Sequence, residues 1–314
     1  MKKLIAFRFA LALPQLALVS LVVFLLTYLV PGSAAAALLG TSATPESVAQ
    51  VEAQLGLDRP FWERIGEWYL AALQGDLGTS WISSLPVLDS LIARAPATFS
   101  LVGGALIVAI IFGIGLGMIA GTKPGSIRDS VSTGITAVTL AIPEFWLGII
   151  LLLIFAVELG WVPVVAYTPF ENDPLRWLQG LILPSLALGI GSAALIARQT
   201  RTAMAETMSA RYVDTLTSTG MARQRVIFRY GLKNAMIPVL AATGITVSII
   251  IGGSFVMEKV FSFPGIGDLM LGAVSRKDIP VIQGGTLLIA VIVILVNLIV
   301  DISYGLLNPK ARPA

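Results

Sequence analysis

The sequence predicts an all-α polytopic membrane protein with six transmembrane helices and both termini in the cytoplasm. Three observations carry this. Of 314 residues, 56% are hydrophobic and only 12% charged, at a mean hydropathy of +0.87, which is more apolar surface than one soluble core can hide. Apolar stretches of about 20 residues, enough to cross a hydrocarbon core at 1.5 Å per residue, recur near 9–30, 97–121, 131–158, 180–203, 237–257 and 281–307. Runs that long read as helices, which satisfy their own backbone groups where lipid supplies no water. Finally, an inside N-terminus places fourteen of the 21 Lys and Arg on cytoplasmic flanks, as the retention of positive charge on that side requires.

The first stretch is too long for the 7–15-residue apolar core of a cleavable signal, so it reads as an anchor despite Ala34 and Ala36 behind it. Segment 31–96 opens on Pro31-Gly32 and carries seven acidic and three basic residues; it is predicted to be an external subdomain. Within it Phe61, Trp62, Ile65, Trp68, Tyr69 and Leu73 recur at helical spacing, opposite Glu63, Arg64 and Glu67. Two placements stand: a helix lying on the outer membrane surface, where Trp and Tyr favour the headgroup level, or a small helix packed over the mouth of the bundle.

In the third stretch Glu144 sits near the middle, behind Pro143, which frees backbone carbonyls and kinks the helix. Charge inside a bilayer is expensive and therefore informative. Either Glu144 faces a pathway, beside Pro143 and Trp146, and meets a positive group on a cargo, or a neighbouring helix or wet crevice satisfies it. Gly252 and Gly253 in the fifth stretch permit close helix approach or a hinge. Phe261, Phe263 and Pro264 read as an apolar plug or gate at the external mouth, or as packing against the outer segment. Asp301, with Asn297 one turn earlier, reads as structural, pairing with Arg312 or a helix end.

The densest positive charge lies in YVDTLTSTGMARQRVIFRYGLKNAMIP, residues 212–238. Residues 211–219 hold no Gly or Pro and predict two turns of helix, ended by Gly220 through a positive φ. From Ala222 a second helix is expected, with Arg225, Arg229 and Lys233 in a basic stripe beside Val226, Ile227 and Tyr230, before Pro238 marks re-entry into the membrane. Such a pair forms a rigid knob that can take force from a partner. The other reading is a basic loop that fixes topology and binds anionic membrane lipid.

Cysteine and histidine are both absent, which excludes disulfides, thiol chemistry, common transition-metal ligand sets and serine–histidine catalysis. No phosphate-binding G-x-x-x-x-G-K-[ST] loop occurs. The chain is therefore expected to be no enzyme and to hold no cofactor, with any ATP and Mg bound by another subunit; no nucleic-acid partner is expected. Gly265-Ile266-Gly267-Asp268 spells the GxGD of intramembrane aspartyl proteases, but that dyad needs two facing aspartates, and Asp268 falls outside while Asp301 falls near the inner face. A proton-coupled secondary transporter using Glu144 and Asp301 is the more serious rival; inverted repeats and paired broken helices would support it, and the halves do not visibly mirror each other.

Tyr212-Val213, Gly220, Asn234-Ala235 and Pro238 resemble the cytoplasmic loop of ABC importer permeases in its peptide-branch form, with Asp214, Thr215 and Leu216 where the broad signature has Glu-Ala-Ala. Leu29-Val30-Pro31-Gly32, Gly56-Leu57-Asp58-Arg59-Pro60, Gly75-Asp76-Leu77-Gly78-Thr79-Ser80 and Pro96-Ala97-Thr98 are similar to the external segment of "B"-type dipeptide and oligopeptide permeases. So are Ile142-Pro143-Glu144-Phe145-Trp146-Leu147-Gly148, Leu159-Gly160-Trp161-Val162-Pro163, Phe261-Ser262-Phe263-Pro264-Gly265-Ile266-Gly267 and Asn297-Leu298-Ile299-Val300-Asp301. The chain is identified as a member of the dipeptide/oligopeptide (peptide/nickel) permease family.

That resemblance implies a type I ABC importer permease fold in a bacterial or archaeal cytoplasmic membrane. It implies a second homologous permease, two ATPase subunits carrying ATP and Mg, and an external substrate-binding protein. Residues 212–220 would be the coupling helix, with Tyr212, Val213, Asp214, Thr215, Leu216, Gly220, Met221 and Arg225 at the ATPase contact. ATPase closure would switch the permease pair from inward-open to outward-open. Di- and oligopeptides are the expected cargo, with nickel chelates, glutathione or another small solute as the alternative for the same machinery. The implied divisions are a first span within 1–30, the external subdomain 31–96, a five-helix core 97–307 containing the cytoplasmic loop 204–236, and a tail 308–314.

Overall fold

In the computed structural model, residues 2–29, 33–163 and 167–307 are described. Among them the fold is helical, with one isolated antiparallel bridge between Thr79 and Pro86. Helix α1 runs Lys2–Leu29, α2 Ala34–Leu39 into a 3-10 turn Gly40–Ser42, α3 Pro45–Gln54, α4 Phe61–Leu73, α5 Val87–Gly121, α6 Ile127–Ala141 and α7 Glu144–Leu151 into a π-helical turn Leu152–Glu158. Then follow α8 Pro174–Met208, α9 Arg211–Ser218, α10 Arg223–Arg225, a π-helical turn Val226–Gly231, α11 Leu232–Val260, α12 Ile266–Arg276 and α13 Ile279–Leu307.

Five helices are long and apolar enough to cross a membrane, within α1, α5, α8, the α10–α11 run and α13. The α6–α7 pair is the sixth candidate, bent by 94°. Pro143 forces that break: its ring excludes the α conformation from the preceding residue, and Ile142 accordingly takes φ −91°, ψ 121°. The third apolar stretch is thus not a mildly kinked span but two helices nearly at right angles.

The chain divides into two compact units, one of residues 1–5, 97–263 and 295–314, the other of 6–96 and 264–294. In the first unit α8 is central, with 72% of its most apolar window buried against 6% for α13. Gly113, Gly117 and Gly121 recur every fourth residue on α5 and bring its backbone onto α8: a Cβ on Gly113 would fall 2.6 Å from Ile196 Cβ, and one on Gly121 2.6 Å from the Arg201 carbonyl oxygen. Gly189 of α8 meets Ala105 and Val108 of α5 in the same way. Lipid tails give helices no hydrophobic reason to associate, so close van der Waals packing over small residues must hold the pair.

In the second unit α4 packs along α1. The Tyr69 hydroxyl shares a 2.5 Å hydrogen bond with Ser20, donates to the Ala17 carbonyl at 3.0 Å, and Trp68 and Phe61 meet Phe24 and Tyr28 edge-on. The helices therefore run antiparallel over about 12 Å, eight residues at 1.5 Å each. Of the predicted stripe, Phe61, Ile65, Trp68 and Tyr69 turn inward, whereas Trp62 and Leu73 stay exposed. Asp278, buried at the start of α13, accepts from Ser80 Oγ at 2.5 Å and the Trp81 N–H at 3.1 Å. It fastens the loop that carries the Thr79–Pro86 bridge.

Candidate functional site

Helix α8 reaches α9 through only Ser209 and Ala210, the latter extended at φ −76°, ψ 140°. Gly220, at φ +81°, ends α9 in a Schellman closure, donating to Thr217 O at 3.0 Å while the Met221 N–H donates to Leu216 O at 3.2 Å. Only a residue without Cβ takes that φ at no steric cost, so the local chemistry of the sequence and the observed turn agree. The expected second short helix is corrected. α10, the π turn and α11 form one run from Arg223 to Val260, and Pro238 lies inside it; a membrane helix tolerates the missing N–H because its neighbours and local helix adjustments satisfy the freed carbonyl. The wide turn also breaks the i, i+4 spacing expected of the basic stripe, although Arg225, Arg229 and Lys233 are all exposed.

α9 is held at several points. Val213 is buried, Leu216 and Met221 are half-buried, and the Tyr212 hydroxyl accepts from Asn234 Nδ2 at 2.9 Å. These residues fix the helix in place, while Asp214 and Thr215 project from it with the Tyr212 edge. Beneath lies a buried cluster of Ala203, Met204 and Ala235, flanked by Met118, Met208, Ile227 and Leu232. Methionines let such a core re-pack without opening voids.

Sequence reasoning missed the strongest polar link in this region. Asp129, buried in the first turn of α6, accepts from Arg201 Nε at 2.6 Å and Nη2 at 2.8 Å, from the Gly125 N–H at 2.9 Å and from Thr133 Oγ1 at 3.3 Å. This bidentate pair ties the α5–α6 turn to α8 about two turns before the end of that helix. It borders a cavity of about 440 Å³ lined by Ser132, Thr133, Thr136, Arg198 and Arg201 among others. An acid at the head of an apolar stretch was the available signal.

Glu144 opens α7 and accepts from Ser192 Oγ at 3.2 Å. Its carboxyl lies in a notch between α8 and α11: a Cβ on Gly191 would fall 2.8 Å from Oε1, and one on Gly253 2.7 Å from Oε2. Gly253 is therefore a close-packing position, whereas Gly252 has open space around its Cα. Pro143 and Trp146 are exposed. Phe261 and Phe263 are buried in the first unit, Phe263 against the Tyr167 ring at 5.3 Å, and Pro264 begins the next segment of the second unit. A second overlooked acid, Glu258, is fully buried and accepts from Thr98 Oγ1 at 2.7 Å. Asp268 pairs with Arg94 at 3.4 Å. Asp301 lies in α13, and its expected partner Arg312 falls outside the described residues.

A bundle of apolar helices packed over glycines, with a carboxylate set between three of them and a short stiff helix continuing the central one, defines a membrane transport component by class. The chain belongs to the family of inner membrane components of binding-protein-dependent transport systems, whose profile matches residues 113–313, with the N-terminal membrane-component profile on residues 1–102. It is a permease subunit of a binding-protein-dependent ABC importer and a multi-pass protein of the cytoplasmic membrane. A Brucella abortus (strain 2308) protein named as a peptide transport system permease is 36% identical over 99% of both chains. The glutathione transport system permease GsiC of Escherichia coli K12 is 37% identical over 96% of this chain and 95% of its own. Two inward-facing crystal forms of the MetNI methionine ABC transporter contain a chain of the same fold, at TM-scores of 0.55 and 0.56 and 18% identity, covering 69% and 70% of this chain and 96% of that one.

Proposed function

We propose that this permease imports di- or oligopeptides and that α9 with Gly220 is the element through which partner ATPases drive it. The single observation that carries the cargo reading is the full-length similarity to a protein named as a peptide transport permease. The glutathione permease likeness favours a second reading, glutathione as cargo of the same machinery. In the proposed assembly a second homologous permease completes the pathway, two ATPase subunits hold ATP and Mg, and a binding protein delivers substrate from outside. Residues 31–96 of this chain form the external subdomain.

The mechanism follows from stiffness. ATP-driven closure moves the exposed side of α9, carried by Tyr212, Asp214 and Thr215. Because α9 is joined to α8 by two residues and pinned by Val213 and Asn234, displacement passes to α8 rather than dissipating in a slack loop. The methionine cluster gives way while the Asp129–Arg201 pair carries the α5–α6 turn along. The two permease states need differ by only a few kcal/mol for nucleotide and loaded binding protein to bias them.

The test is ATP hydrolysis and labelled-peptide uptake by the complex in liposomes, with and without loaded binding protein, comparing the native chain with Leu216→Arg and Gly220→Pro. Assembly with loss of stimulated hydrolysis and uptake is the expected result. Uptake that persists unchanged, or that needs only a proton gradient, overturns the coupling role. Competition by glutathione but not by dipeptides selects the second cargo.

A further inference from the structure

The cavity of about 440 Å³ beside the Asp129–Arg201 pair lies within the first unit, between α5, α6 and α8, and its walls differ in what they can bond. On the α6 side Ser132 Oγ donates to the Leu116 carbonyl at 2.8 Å, Thr136 Oγ1 to the Ser132 carbonyl at 2.8 Å and Thr133 Oγ1 to Asp129 at 3.3 Å. Thr202 Oγ1 on α8 donates to the Arg198 carbonyl at 3.1 Å. With their hydrogens spent, these lining hydroxyls can only accept.

On the α8 side stand the guanidiniums of Arg198 and Arg201. Asp129 engages Arg201, whereas Arg198 is exposed and, among the described residues, its side chain has neither ion pair nor hydrogen bond. Two guanidiniums against one carboxylate leave the cavity with an excess positive charge. Arg198 also lies five residues, about 8 Å, inside the cytoplasmic end of the fourth apolar stretch, 180–203. A charge at that depth faces water or protein and marks a route for solutes. The volume falls among the roughly 300–1,000 Å³ of small-ligand sites. Its complement is a molecule carrying a carboxylate with N–H donors close behind it. The carboxyl end of a peptide has both; a phosphodiester can satisfy Arg198 but brings no donor to the hydroxyls.

We propose that this cavity is an exit site for cargo on the cytoplasmic side, in which Arg198 takes the terminal carboxylate of the departing peptide and Thr133 and Thr136 accept from its amide N–H groups. The assignment rests on the peptide reading above. Arg198 grips the carboxylate by its planar fork, and a single exposed ion pair binds weakly enough to let the cargo go.

Because the chain has no cysteine, single cysteines at Ala137 and Thr202, both exposed on the cavity, report on it directly. In the purified importer complex each is modified with methanethiosulfonates of similar size, one bearing a sulfonate and the other a trimethylammonium, and read by the mass of this chain. The sulfonate should react about tenfold faster, since one charge-assisted contact is worth roughly a decade; Arg198→Gln should erase that preference and Arg198→Lys restore it. A tripeptide with a free carboxylate should protect the cysteines, and the same tripeptide amidated should not. Arg198→Gln should also slow uptake of the free-acid peptide by about tenfold in liposomes, with recovery in Arg198→Lys. Cysteines that stay unreactive, or that react equally with both reagents, overturn the site. Equal protection by acid and amide overturns the carboxylate assignment, and loss of the preference on adding phosphatidylglycerol gives the cavity to a lipid phosphate instead. Absence of peptide uptake by the native complex overturns the cargo reading, whereas uptake without any reagent preference overturns the exit site alone.

Discussion

The Asp129–Arg201 pair gives the sharpest quantitative test of how α8 is held. The Asp129 side chain is 6% exposed and that of Arg201 39%. Replacing Asp129 by Asn removes the charge while keeping the shape, and it sets an amide N–H₂ against either the guanidinium or the Gly125 N–H. Breaking a fully buried pair costs roughly 3–5 kcal/mol. Because Arg201 can regain water through its exposed portion, we reduce this to about 2–3 kcal/mol. At about 2–4 °C per kcal/mol for a chain of this size, apparent melting should fall by about 5–10 °C. The assay is thermal unfolding of the detergent-solubilised complex for Asp129→Asn, Arg201→Gln and the double variant. If the residues act as a pair, the double variant is no worse than the more damaging single one, and the cycle returns a coupling of about 2 kcal/mol. Strictly additive melting shifts, or no shift in Asp129→Asn, would refute the reasoning. If the clamp also carries motion from α9, the surviving Asp129→Asn complex should hydrolyse ATP with less peptide taken up per ATP.

Other expectations are narrower. Gly117→Leu should cost about 1–3 kcal/mol through overpacking against Thr200 and the Ala197 carbonyl, seen as loss of monodisperse complex by size exclusion, whereas Gly115→Ala, with open space at its Cβ position, should be tolerated. Gly220→Ala should destabilise the α9 closure by about 1 kcal/mol because alanine resists φ +81°; stimulated hydrolysis should drop more than basal. Glu144→Gln keeps the acceptor for Ser192 and fits the same glycine notch, so uptake should persist; a changed preference between cationic and neutral peptides would instead place Glu144 on the pathway. Asp278→Ala strips acceptors from Ser80 Oγ and the Trp81 N–H, at a cost of about 1–3 kcal/mol, and proteolysis of the loop around Trp81 should accelerate.

How much of this was legible beforehand follows from which forces act locally. Span length and the termination of α9 at Gly220 are short-range consequences of hydropathy and glycine freedom, so the residues state them directly; proline sterics at Pro143 announce a kink, but the 94° turn into a separate helix was not stated. The helical stripe of Phe61, Trp68 and Tyr69 was equally plain. The partner of that stripe was not: which surface an aromatic face covers depends on α1 being brought alongside, and periodicity carries no address. The same limit applies to Pro238, which as a local signal reads as a boundary but in the bundle sits inside a helix whose freed carbonyl its neighbours can satisfy.

The membrane class, the number of apolar stretches, the orientation and the stiff glycine-ended helix were determined by the sequence itself, because each depends on composition or on a few adjacent residues. Only the tertiary structure decided that Asp129 meets Arg201 across 72 positions, that Glu144 lies between Gly191 and Gly253, and that Asp278 receives Ser80 and Trp81. Those facts depend on which helix faces which, an outcome of packing summed over the whole bundle rather than of any one segment.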